Sequence, residues 1–62
     1  MTKYIIRVIV PGGVVYEYSV KTQRLAELEV ERVKKDGYRH YEGNAVIEYR
    51  WVHEVTWFRR EE

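Results

Sequence analysis

From Ala45 to Arg59 nearly every second residue is apolar or aromatic and no Gly or Pro interrupts, and no other stretch constrains the fold as much. Ile47, Tyr49, Trp51, His53, Val55 and Trp57 fall on one side of an extended chain, with Val46, Val52 and Phe58 on the other. Read as one strand over residues 45–58, this stretch runs roughly 45–50 Å at about 3.3 Å per residue, against the usual ~17–20 Å. That outruns its neighbours. The distal part, Arg50 to Phe58, must bend back over the core or pair beyond the monomer, and the expectation is a homodimer joined across a two-fold axis there.

Upstream, residues 3–10 and 14–21 read as two strands rich in β-branched and aromatic residues around Pro11-Gly12-Gly13. Side-chain parity sets the loop length. A three-residue loop pairs Val10 with Val14, Val8 with Tyr16, Ile6 with Tyr18 and Tyr4 with Val20, so the strongly apolar residues share one face. A two-residue loop mixes the faces. Pro11 suits the early position of a type I turn and Gly13 the left-handed position that closes it. The same register sets Arg7 opposite Glu17.

Thr22 caps a helix over residues 22–36, with Lys34 and Lys35 in its last turn and Gly37 ending it in a left-handed conformation. Leu25, Ala26, Leu28, Val30 and Val33 form its apolar stripe, interrupted by Glu29, which is expected to reach an Arg or Tyr at the sheet edge. Residues 38–42 make a short strand, and Gly43-Asn44 a type II′ turn that pairs Tyr38 with Tyr49, Arg39 with Glu48 and His40 with Ile47. Arg59 to Glu62 read as a solvated tail. The order ββαββ predicts an α+β fold: a single, mostly antiparallel sheet with one helix packed on one face.

One small domain of 62 residues without cysteine has no disulfide or thiolate metal site, and 45% hydrophobic residues are enough for a core. A nucleophile, base and orienter are hard to assemble from one Asp, two His and few hydroxyls, so no catalytic residue and no cofactor is expected. His40 and His53 are separated by roughly 20 Å along a straight strand at ~3.3 Å per residue, so no metal is expected either. No apolar run has the length of a membrane span and no signal-peptide order opens the chain, which makes a cytoplasmic location the expectation.

The residues left to explain are the aromatics. Tyr and Trp on a sheet can stack on unpaired bases, but that use needs a basic groove, and the net charge is only +1. Tyr, Trp and Arg are equally the enriched residues of protein interfaces. The primary expectation is a non-enzymatic protein-binding or regulatory module, with a second copy of itself and another protein as partners. The size and style are those of small regulators that viruses and mobile elements direct against host proteins. Arg7, Ile9, Val15, Glu17, Arg50, Trp51, His53, Trp57 and Phe58 are the residues expected to touch the partner. Single-stranded nucleic-acid binding through Tyr, Trp and Arg is the alternative.

Overall fold

The first hairpin adopts the register that parity dictates. In the computed structural model, which describes Met1 to Glu62, β1 (Thr2–Ile9) and β2 (Val15–Val20) run antiparallel with Tyr4 opposite Val20, Ile6 opposite Tyr18 and Val8 opposite Tyr16. The Val10 N–H donates to the Val14 carbonyl and the Gly13 N–H to the Val10 carbonyl, both at 3.0 Å. The turn inside differs from the type I expectation. Gly12 and Gly13 both have positive φ, +101° and +88°, so Pro11-Gly12 turns in the type II sense, which puts a positive φ at the third residue.

The helix α1 (Gln23–Asp36) starts where the Thr22 hydroxyl accepts from the Leu25 N–H at 3.1 Å. It ends where the Gly37 N–H donates to the Val33 carbonyl at 2.9 Å. Gly37 is not in the left-handed helical region expected of it. Its φ of +87° and ψ of −175° lie in a region open essentially to glycine alone. Ala26 and Val33 are fully buried and Val30 half-buried against a core of Ile6, Val8, Val10 and Val55. The stripe is narrower than the sequence suggests: Leu25 and Leu28 are 47% and 48% exposed. They lie about 100° and 160° round the helix from Ala26, off the side that Ala26, Val30 and Val33 share.

The α+β order ββαββ stands, but its last strand is two strands and its sheet is two sheets. β3 (Tyr38–Glu42) and β4 (Ala45–Tyr49) pair only with each other, in the expected register, while β5 (Glu54–Glu61) pairs with β1. Gly43 alone carries a positive φ in the β3–β4 turn, +57°, as type II′ requires. The three-stranded sheet has the order β2-β1-β5. Thus the long strand bends at residues 50–53 instead of reaching outward, and the length that argued for pairing across a two-fold axis is used within the chain.

The cause of the bend is competition between partners. β3 offers a partner to five residues, whereas the second edge of β1 offers an antiparallel ladder along all of Thr2 to Ile9. Val52 tucks against the core, and the His53 N–H donates to the Ile9 carbonyl at 2.7 Å, which opens the second ladder. Arg59 to Glu61, expected as a tail, belong to β5, and Glu62 continues the ladder by donating its N–H to the Met1 carbonyl at 2.8 Å.

Candidate functional site

Alternation along three strands builds a face that the helix does not cover. On β1 it carries Lys3, Ile5, Arg7 and Ile9, on β2 Val15, Glu17 and Ser19, and on β5 Glu54, Thr56, Phe58 and Arg60. Arg7 and Glu17 pair across the strands at 2.7 Å. The Arg7 guanidinium stands 5.0 Å and that of Arg60 5.6 Å from the centre of the Phe58 ring. Ile5 is only 5% exposed, although it points away from the helix. It floors a shallow depression of about 290 Å³ bordered by Glu17, Ser19 and Arg60.

The structure therefore brings together Arg7, Ile9, Val15, Glu17 and Phe58 and separates the other expected partner residues from them. Trp57 points to the helix side, with its ring centre 6.1 Å from that of Tyr4, and packs against the core. Arg50, Trp51 and His53 lie in the bend before β5, where Trp51 is 65% exposed. Phe58 is the sole aromatic residue on the uncovered face.

Most of the tyrosines meet beneath the second hairpin. Tyr16 stacks on His40 at 4.2 Å and lies 5.4 Å from Tyr38, and Tyr18 stacks on Tyr38 at 6.0 Å. The β3–β4 hairpin is thus held to β2 by aromatic packing instead of a ladder. The Tyr16 and Tyr49 hydroxyls stand 3.4 Å apart, and this contact, with partial desolvation, pushes the Tyr16 phenol up to about 12. Burial raises Tyr38 as well.

Glu29, the interruption in the helical stripe, accepts from the Tyr18 hydroxyl at 2.9 Å and from the guanidinium of Arg32. The Arg32 contact, helped by Tyr18, holds the Glu29 carboxyl below the usual range against the opposing effect of burial. Burial first, and then the Glu29 carboxylate, drives the Tyr18 phenol far above its ordinary value. The tyrosine at the sheet edge foreseen for Glu29 is Tyr18.

One concavity was not legible in the sequence. Arg32 and Asp36 of α1 and Arg39, Tyr41 and Glu48 of the hairpin border a groove of about 310 Å³ floored by Gly37. Its charges are of both signs, and Arg39 and Glu48 pair at 3.2 Å. Helix and hairpin meet there because the chain passes over Gly37, a contact that no local pattern encodes.

The His40 ring lies against Tyr16, and the His53 N–H is bonded to the Ile9 carbonyl beyond the bend. No three His, Asp or Glu side chains converge to hold a metal ion. No helix is long and apolar enough to cross a membrane. No family model, curated protein or solved structure matches this chain, so its surface chemistry alone carries the functional reading.

Proposed function

We propose that this chain is a non-enzymatic protein-binding module whose uncovered sheet face, built on Arg7, Ile9, Val15, Glu17 and Phe58, docks on another protein. The observation that carries this reading is that the uncovered face combines an exposed Val15 and a half-buried Ile9 with an Arg-flanked aromatic ring and charges of both signs. That mixture resembles the core and rim of a protein interface. On this reading the chain is a small regulator that occupies a surface of its partner, in the manner of those encoded by viruses and mobile elements.

Nucleic-acid binding finds less support. Base stacking needs a platform of exposed rings, and Tyr16, Tyr18, Tyr38, Tyr49 and Trp57 pack on one another or on the core, which leaves Tyr41 in β3 and Trp51 in the bend as exposed rings on separate elements. The basic residues of the uncovered face are offset by Glu17, Glu54 and Glu62, with Lys3 and Glu62 paired at 3.1 Å. Titration with single- and double-stranded oligonucleotides at moderate salt, followed by Trp fluorescence, is the test. No change is expected. Quenching that weakens steeply with added salt would favour the nucleic-acid reading. For the protein reading, Val15→Glu with Phe58→Ala should abolish capture of a specific partner, whereas Tyr41→Ala on the hairpin should leave it intact.

A further inference from the structure

We propose that the free edge of β5 pairs antiparallel with the β5 edge of a second copy, about a two-fold axis at Trp57, making one continuous sheet through both chains. β5 has β1 on one side and no strand on the other. Antiparallel pairs that exchange both backbone bonds alternate with pairs that exchange none. Glu62 donates to the Met1 carbonyl at 2.8 Å and the Met1 amine donates back, so this is an exchanging pair. Counting back by two, Arg60 with Lys3, Phe58 with Ile5 and Thr56 with Arg7 are exchanging pairs too. Val55, Trp57, Arg59 and Glu61 therefore turn their N–H and C=O groups to the open edge. No Pro or Gly blunts that edge within Glu54–Glu61.

Charge then selects the partner and the register. A two-fold axis perpendicular to the sheet keeps the helix sides of both copies level, so even-numbered residues must face even-numbered ones. Centred on Trp57, the pairing sets Glu54 opposite the second copy's Arg60 twice over, Val55 opposite Arg59, and Thr56 opposite Phe58. Centred on Thr56 it sets Glu54 against Phe58, and centred on Phe58 it sets Glu54 against Glu62. Glu54 has no ion pair within its own chain, and Arg60 reaches only Glu62, at 3.9 Å. β2, the other edge of the sheet, carries one charge, Glu17, already held by Arg7. It has no complementary pair to offer itself.

The backbone pairing of this association uses the edge of the sheet, and its Glu54–Arg60 pairs sit at the β5 margin of the uncovered face. Sedimentation equilibrium of the full chain at micromolar concentrations tests it. The parent is expected to dimerise. Glu54→Arg and Arg60→Glu should each weaken the dimer by about tenfold, since two attractive pairs become repulsive. The double exchange should restore it. Arg59→Pro removes an edge-facing N–H without a partner in the monomer, so it should remain folded by circular dichroism and sediment as a monomer. A monomeric parent, single exchanges without effect, or a double exchange that fails to recover would each overturn the proposal.

Discussion

Gly37 lies directly against the carbonyl of Tyr49: a Cβ added to this glycine would stand 2.1 Å from that oxygen and 2.8 Å from the carbonyl oxygen of Arg50. Both obstacles are backbone, so neither can swing aside. At this crossing the end of α1 and the end of β4 fix each other, just before the chain bends toward β5.

Gly37→Ala is therefore expected to cost about 2–4 kcal/mol, combining the strain of a positive φ with displacement of the β4 backbone. Gly13 supplies the control. Its φ is also positive, +88°, but nothing lies within 4 Å of an added Cβ. Gly13→Ala should cost only about 1 kcal/mol, from backbone strain alone. Urea unfolding of the two variants side by side measures the difference, and equal costs would refute the crossing.

Glu29 predicts an acid limb. Its folded-state pKa is depressed below the ordinary 4.5 by Arg32 and Tyr18, so its contribution is fully present above that value. It is lost as pH falls through the lower folded-state value. Glu29→Gln keeps the shape and removes the titration. The variant should be less stable than the parent by about 0.5–1.5 kcal/mol near neutrality, and the gap should close in strong acid. Melting curves across the acid range show whether the two lines converge.

At the other end of the scale three tyrosines titrate late. Tyr16, Tyr18 and Tyr38 are all raised from 10.0, Tyr16 to about 12. A raised phenol contributes stability that is present below its unfolded value and lost as pH climbs through the folded one. Phenolate absorbance should therefore keep rising well above pH 10, with this late part merging into alkaline unfolding. Tyr16→Phe should remove part of that late rise. A single smooth titration of all tyrosines near the ordinary value would mean that the aromatic cluster is open to water.

How far the sequence could be read follows from the range of the interactions. Arg7 opposite Glu17 and Arg39 opposite Glu48 were legible because tight turns fix register locally. Thr22 and Gly37 marked the helix ends for the same reason. The bend at residues 50–53 was not legible, since Arg50-Trp51-Val52-His53 contains no residue that breaks a strand. It arises from competition between β3 and β1, which lie far apart in sequence. Of the expected interface, Arg7, Ile9, Val15, Glu17 and Phe58 share a face because alternation alone places them there. Trp57 lies on the other side of β5, against the helix, and which side of β5 meets the helix depends on how β5 pairs with β1.

The narrow helical stripe gives the most direct test of the core. Val33 has no exposed surface and packs among Ile6, Val8, Val10 and Val55, whereas Leu28 is 48% exposed. By side-chain size, Leu28→Ala removes more carbon than Val33→Ala, and the apolar pattern of the helix treats the two positions alike. Burial reverses the order. Val33→Ala leaves a void among residues that cannot all close in, and should cost about 2 kcal/mol. Leu28→Ala should stay within about 0.5 kcal/mol, as substitutions at open positions do. In a domain this small, each kcal/mol moves the melting temperature by about 4–8 °C, so a thermal melt separates the two variants. If Leu28→Ala melts lower than Val33→Ala, the helix is rotated on the sheet, and the Tyr18–Glu29 hydrogen bond that depends on its orientation is absent.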